Sequence, residues 1–326
     1  MDTQILDILG LLVFGFLLLV KGADWFVEGA AGIAEKLGVP QLVVGLTIVA
    51  MGTSAPETAI SLTASFKESA DLAVGNILGS NILNVLLILG VTALIYPLSV
   101  QKSTVRYEIP FTIFISILFP ILGLGAGILR APFVDDGVLS RIDGIILLVF
   151  FALYLAYLFW LTKKGEADVE TVGDAKSSGW LKLVFLLLVG LLGIILGSNY
   201  TIRSATRLAE LFGISERIIG LTVVALGTSL PELATCVAAA LKKNADIAIG
   251  NIVGSNIFNM LFVGGISATV KAVKYQGEFF VDSIAAILTV VLLLLCIALG
   301  KKRTLSRVGG AIMLASYAAY FAIFLL

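Results

Sequence analysis

One stretch of this chain is written twice. "GLTIVAMGTSAPETAI", beginning at Gly45, returns as "GLTVVALGTSLPELAT" at Gly220, and "GNILGSNILN" from Gly75 returns as "GNIVGSNIFN" from Gly250. The offset is 175 throughout, no gap is needed, and 24 of the 40 positions from 45 to 84 match their partners. Shared apolar composition does not produce that agreement, so the chain is an internal duplication and must fold as two related units.

The repeats lie in apolar runs. Of the 326 residues 59% are hydrophobic and 13% charged, and several runs exceed the roughly 20 residues that span a bilayer. Hydropathy, punctuated by charge, Gly and Pro, predicts an all-α polytopic membrane protein. Its ten helices fall near 5–27, 40–66, 70–96, 108–130 and 138–162, then 180–202, 215–241, 246–270, 279–300 and 305–326. The long polar stretch at 162–179 divides them, giving a first five-helix repeat at 1–161, a cytoplasmic linker at 162–179 and a second repeat at 180–326. Five is odd, so the second copy enters the membrane from the opposite face and the repeats are inverted, an architecture that recurs in secondary transporters. The N-terminal segment carries Asp2 and Asp7 in place of the basic region of a signal peptide and reads as a retained first span. With the N-terminus outside, 14 of the 22 Lys and Arg residues fall on the cytoplasmic side, which places both termini outside and, for a cell-membrane protein, extracellular.

Composition also excludes. Basic and acidic residues balance at 22 each, so nothing points to nucleic acid. Cys236 and Cys296 lie in apolar runs and imply no disulfide framework. The absence of histidine removes the commonest transition-metal ligand and the usual catalytic base. Ion chemistry here must use oxygen, and no organic cofactor is expected.

Glu57 and Glu232 sit mid-span, where an ionisable group costs several kcal/mol and is functional by default. The bland reading is a protonated or ion-paired carboxylate, but the basic residues fall near helix ends or in connections. In each "GTSxPE", proline cannot donate to the carbonyl four residues back, at Gly52 and Gly227, which frees an oxygen of the kind that lines polar pathways. Thr53, Ser54, Thr228 and Ser229 add hydroxyls. In "GNxxGSNxxN", Asn76, Ser80 and Asn84 share a helical face, as do Asn251, Ser255 and Asn259. The glycines of that motif also suit close helix packing, and packing alone is the rival reading. Carboxylates, hydroxyls, amides and bare carbonyls are the donor set of hard cations such as Ca²⁺, and they disfavour thiolate or imidazole metals. A site with two negative charges is costly to carry empty through a low-dielectric barrier, whereas one Ca²⁺ or two Na⁺ neutralise it; that is the requirement for exchange as opposed to leak.

These residues are recognisable. "GTSAPE" with "GNILGSNILN", and "GTSLPE" with "GNIVGSNIFN", resemble the two alpha-repeats of the calcium/cation antiporter family and are most similar to its Na⁺/Ca²⁺ exchangers. The resemblance implies a ten-helix, non-enzymatic antiporter that carries Ca²⁺ and Na⁺. On matching positions Glu57, Glu232, Thr53 and Thr228 would form the Ca²⁺ site. Ser54, Ser80 and the carbonyl of Ala50, with Ser229, Ser255 and the carbonyl of Ala225, would form flanking Na⁺ sites, and Asn84 and Asn259 would close the middle. Sliding of the first and sixth helices would gate it. Some relatives carry an aspartate among the middle positions; asparagine here argues against K⁺ co-transport. The short 162–179 loop leaves no room for a regulatory domain. The alternative is H⁺/Ca²⁺ exchange, but proton-coupled relatives bear a different first signature, with an Asn near the carboxylate and commonly a histidine, and neither is present in "GTSxPE". A serine hydrolase lacks a base, and a channel would conduct without a counter-ion.

Overall fold

The computed structural model describes residues 2–66, 70–125, 137–164, 179–211 and 225–324. Helix α1 is Asp2–Leu37 and is followed by α2 (Gln41–Thr53) and α3 (Ala55–Phe66). Next come α4 (70–95), α5 (Thr104–Leu124) and α6 (Arg141–Lys164). After the linker come α7 (Trp180–Leu211), the short α8 (Ala225–Thr228), α9 (Leu230–Leu241), α10 (Ala245–Val270), α11 (Phe279–Leu299) and α12 (Arg307–Phe324). The fold is an all-helical polytopic membrane fold. Among the described residues, seven helices are long and apolar enough to cross a bilayer, while Gln41–Thr53, Leu230–Leu241 and Arg307–Ile323 are shorter apolar helices. The expected start of the seventh span, 215–224, and most of the linker lie outside the described residues.

The offset of 175 reappears in three dimensions. Ala70–Leu83 corresponds to Ala245–Phe258, the π-helical turn Asn84–Ile88 to Asn259–Val263, and Leu89–Ile95 to Gly264–Val270. Four short strands tie the halves together crosswise: β1 (Leu98–Ser99) pairs antiparallel with β4 (Thr304–Leu305), and β2 (Gly137–Leu139) with β3 (Val273–Tyr275).

Two helices outrun their sequence reading. The expected spans 5–27 and 180–202 are helical to Leu37 and Leu211. Lys21, Asp24 and Glu28 interrupt the hydropathy of α1, but they do not stop the helix, because its other face stays apolar and packs along α7. The two run antiparallel in close contact: a Cβ on Gly15 would meet Thr201, on Gly22 would meet Ile194 and on Gly29 would meet Leu187. Three glycines seven residues apart lie along one side of the helix, so the backbones approach along a smooth seam. A helix of 36 residues is about 54 Å long at 1.5 Å per residue, so it must tilt to fit a bilayer.

The core sits beneath this pair. Every residue of Ala245–Phe258 is buried, which is unusual for a span and sets α10 at the centre of the molecule.

Candidate functional site

Proline fixes the site's backbone. Pro56 and Pro231 occupy the second position of α3 and α9, where their missing N–H costs nothing, and the chain breaks just before them at Ser54 (φ −83°, ψ 11°) and Ser229 (φ −93°, ψ 7°). Each break places a Thr-Ser pair at the end of one helix and a glutamate in the first turn of the next. At Gly227 the structure corrects the sequence reading: the carbonyl released by Pro231 accepts a hydrogen bond from Ser198 Oγ of α7 at 3.0 Å and is not left bare. The equivalent of Ser198 in the first half is Ala23, which has no hydroxyl to offer Gly52. The Ala50 carbonyl accepts the Ser54 N–H at 3.0 Å. Ala225 opens α8.

The two breaks face each other. Ser54 Oγ donates to Glu232 Oε1 at 2.8 Å, and Ser229 Oγ points to Glu57 Oε1 at 3.5 Å. Each serine thus serves the carboxylate of the other half. The Thr53 hydroxyl lies 3.0 Å from Asn251 Oδ1 and 3.1 Å from the Val49 carbonyl, either of which can take its single proton. Asn251 Nδ2 donates to Cys236 Sγ at 3.3 Å, and its counterpart Asn76 Nδ2 donates to Ser61 Oγ at 2.9 Å. Thr53, Ser54, Glu57, Ser80, Asn84, Thr228, Ser229, Glu232, Ser255 and Asn259 are all buried. The sequence-predicted side chains are therefore inside the molecule, and the carboxylates and broken-helix serines are brought together directly.

Asn84 and Asn259 are held by a pair of residues that the sequence reading passed over. Asn81 Nδ2 donates to the Asn256 carbonyl at 3.2 Å, and Asn256 Nδ2 donates to the Asn81 carbonyl at 3.2 Å. Asn84 Nδ2 donates to Asn256 Oδ1 at 3.1 Å, and Asn259 Nδ2 donates to Asn81 Oδ1 at 3.2 Å. This reciprocal clasp consumes the amide donors. It turns away the N–H₂ groups of Asn84 and Asn259 and leaves their oxygens unused. The signal was present in the motif, since the last asparagine of "GSN" is duplicated along with its neighbours.

Four buried oxygens then stand out: Glu57 Oε2, Glu232 Oε2, Asn84 Oδ1 and Asn259 Oδ1 have no hydrogen-bond partner among the described residues. The turn beginning at Asn259 packs on α3, which carries Glu57, and the turn beginning at Asn84 packs on α9, which carries Glu232. Leaving one buried acceptor unsatisfied costs about 1–3 kcal/mol, and more when it is charged. All four are acceptors and two belong to carboxylates, a set that a cation would satisfy. Among the described residues, no Lys or Arg ion-pairs with either glutamate; Lys242 pairs instead with Asp24, at 2.8 Å. No group of three or more His, Cys, Asp or Glu side chains gathers among the described residues. The arrangement is two carboxylates supplemented by neutral oxygens, which suits a hard cation held loosely enough to leave.

Residues 8–160 and 182–326 match the model of the sodium/calcium exchanger protein family. The sodium/calcium exchanger MaX1 of Methanosarcina acetivorans is 31% identical over 345 residues, covering 96% of this chain and 97% of the relative. The inner membrane protein YrbG of Escherichia coli is 39% identical over 298 residues, covering 88% of this chain and 87% of that protein. A solved structure of the sodium-calcium exchanger NCX_Mj, soaked with 10 mM Na⁺ and no Ca²⁺, superposes with a TM-score of 0.81 at 31% identity, covering 98% of this chain and 99% of the other.

Proposed function

The chain belongs to the sodium/calcium exchanger protein family, and from that premise we propose that it is a secondary active antiporter exchanging Na⁺ for Ca²⁺ by alternating access. The observation that carries this reading is the set of four orphaned buried acceptors, Glu57 Oε2, Glu232 Oε2, Asn84 Oδ1 and Asn259 Oδ1. In the proposed assignment Glu57, Glu232, Thr53 and Thr228 hold Ca²⁺. Ser54, Ser80 and the Ala50 carbonyl, and Ser229, Ser255 and the Ala225 carbonyl, flank it as Na⁺ sites, and Asn84 and Asn259 close the middle.

Charge supplies the coupling. Two buried carboxylates without a counter-ion are expensive to carry across the barrier, so the empty site does not cycle, whereas one Ca²⁺ or two or more Na⁺ neutralise it. We further read the fold as ten membrane passages in two inverted repeats of five, with both termini outside the cell membrane. The crosswise strand pairs support this. With the N-terminus outside, the 98–99 and 304–305 segments share the inner end, and the 137–139 and 273–275 segments share the outer end. The glycine seam between α1 and α7 gives the gating pair a surface along which to slide.

Radiolabelled Ca²⁺ uptake into proteoliposomes tests the coupling ion. Uptake should require Na⁺ inside and an outward Na⁺ gradient. Uptake driven by a proton gradient with no Na⁺ present would assign the protein to H⁺/Ca²⁺ exchange, and uptake needing no counter-ion would make it a channel.

A further inference from the structure

Another buried carboxylate lies away from the duplicated motifs. Glu108 sits in the π-helical first turn of α5, Thr104–Glu108, and is 1% exposed. Tyr157 of α6 donates its hydroxyl to Glu108 Oε1 at 2.5 Å, but Oε2 has no partner among the described residues. Tyr154, one turn earlier on α6, is also buried with its hydroxyl unpartnered. These groups border a cavity of about 380 Å³ whose walls include Tyr107, Phe111, Tyr154 and Tyr157, with Arg106 at one side. The aromatic walls are braced: Phe111 stacks on Tyr154 with centroids 5.6 Å apart, and Tyr107 meets Tyr157 at 6.4 Å.

The duplicated site does not need this cage. At the offset of 175, Glu108 corresponds to Ser283; the second half has its carboxylate one residue earlier, at Asp282, which accepts from the Tyr320 hydroxyl at 2.8 Å. A carboxylate ringed by aromatic faces is the chemistry that recognises an organic ammonium. One carboxylate cannot supply the six to eight oxygens of Ca²⁺, so a bare divalent cation fits poorly. Glu108 Oε2 accepts and Tyr154 Oη can accept, so both can be met by N–H donors, which a primary ammonium has and a quaternary one lacks. Depth and opening name the source. Glu108 is four residues beyond Thr104, about 6 Å along the helix, which is head-group level. The mouth is edged by exposed Tyr107 and Leu153, and the outer faces of α5 and α6 expose Phe114, Ile117 and Val149 towards the acyl chains. The exposed Arg106, its guanidinium 5.7 Å from the Tyr107 ring, lines that mouth.

We propose that the α5–α6 cage binds a phospholipid whose head group ends in a primary ammonium, with the ammonium on Glu108 and Tyr154, the phosphate at Arg106 and the acyl chains in the bilayer. The full-length protein, purified in detergent and incubated with phosphatidylethanolamine, phosphatidylcholine or phosphatidylglycerol, can be examined by native mass spectrometry. Phosphatidylethanolamine should be retained over the other two by roughly tenfold, the worth of one charge-assisted hydrogen bond. Glu108→Gln should erase that preference and Tyr154→Phe should weaken it, with Na⁺-driven Ca²⁺ uptake in phosphatidylcholine vesicles unchanged in both, which shows that the variants fold. Equal retention of all three lipids by the unmodified protein would overturn the proposal, as would an undiminished preference in Glu108→Gln. Saturable binding of free ethanolamine with no preference among lipids would overturn the lipid as occupant.

Discussion

The same ten-residue motif sits in two different environments. In α10, a Cβ added to Gly250 would come within 2.9 Å of the Leu42 carbonyl, and one added to Gly254 within 2.8 Å of Leu46 Cα, so the helix is sealed against the backbone of α2. In α4, among the described residues, the equivalent Gly75 would meet the Phe279 ring at 3.6 Å and Gly79 meets nothing within 4 Å; Gly79 is exposed, and Asn76 is half-buried where Asn251 is fully buried. The hydrogen bonds at the carboxylates repeat the difference, 2.8 Å at Glu232 and 3.5 Å at Glu57. Near-identical sequences have thus been given unequal packing, and the inequality has a direction. The half that carries Glu57 is the looser one, and in the orientation proposed above its Ala70–Leu83 arm leads to the outside. In an alternating-access cycle the other state exchanges these roles, which a duplicated sequence permits because either copy can adopt either packing.

The largest effects should come where the halves are alike. Glu57→Gln and Glu232→Gln should each reduce Na⁺-driven Ca²⁺ uptake by about a hundredfold or more, since each removes one of two charges that the cargo must neutralise. Retained uptake in both would remove these residues from the site. The next effect separates the halves: Gly254→Leu should destabilise the folded protein by about 3 kcal/mol through overpacking, while Gly79→Leu should cost less than about 0.5 kcal/mol as a surface change. Thermal unfolding in detergent reads both, and equal losses would show that the packing inequality is not a property of the protein.

The clasp gives a smaller, symmetric effect. Asn81→Ala and Asn256→Ala each remove two hydrogen bonds, one donated to the opposite carbonyl and one accepted from Asn259 or Asn84, and should cost about 2 kcal/mol apiece, with matching values. A clear mismatch in the unfolding midpoints would mean that the clasp belongs to one half. Smallest is Ser198→Ala, which leaves the Gly227 carbonyl without its hydroxyl and should cost about 1 kcal/mol. Ala23→Ser, its counterpart, should be neutral or mildly stabilising. If the two variants behave identically in unfolding, the hydroxyl on α7 does not distinguish the halves.

Much of this was legible before any coordinates. Pro56 and Pro231 announce breaks because the ring forbids a helical hydrogen bond, and the structure puts the breaks two residues earlier, at Ser54 and Ser229. Glu57 and Glu232 announce themselves because apolar spans tolerate few charges. What stayed hidden depends on partners far away in sequence. The clasp of Asn81 with Asn256 is invisible to helical periodicity, because it joins two helices through amides that hydropathy scores as ordinary polar residues. The extra turns of α1 were hidden by Lys21, Asp24 and Glu28, whose cost is met by placing them away from the seam with α7. Ser198 could be assigned to Gly227 only once α7 was seen to lie across the break. The unequal packing of Gly79 and Gly254 could not be read at all, since identical residues carry no information about which state the chain occupies.

The central claim is that a divalent cation sits between Glu57 and Glu232 and that Na⁺ competes for that place. Crystals soaked in Ca²⁺ or Sr²⁺ and measured for anomalous scattering address it directly. The account predicts one strong peak bounded by Glu57 and Glu232 that fades as Na⁺ is raised; a peak elsewhere, or one between the two carboxylates that Na⁺ leaves untouched, would contradict it.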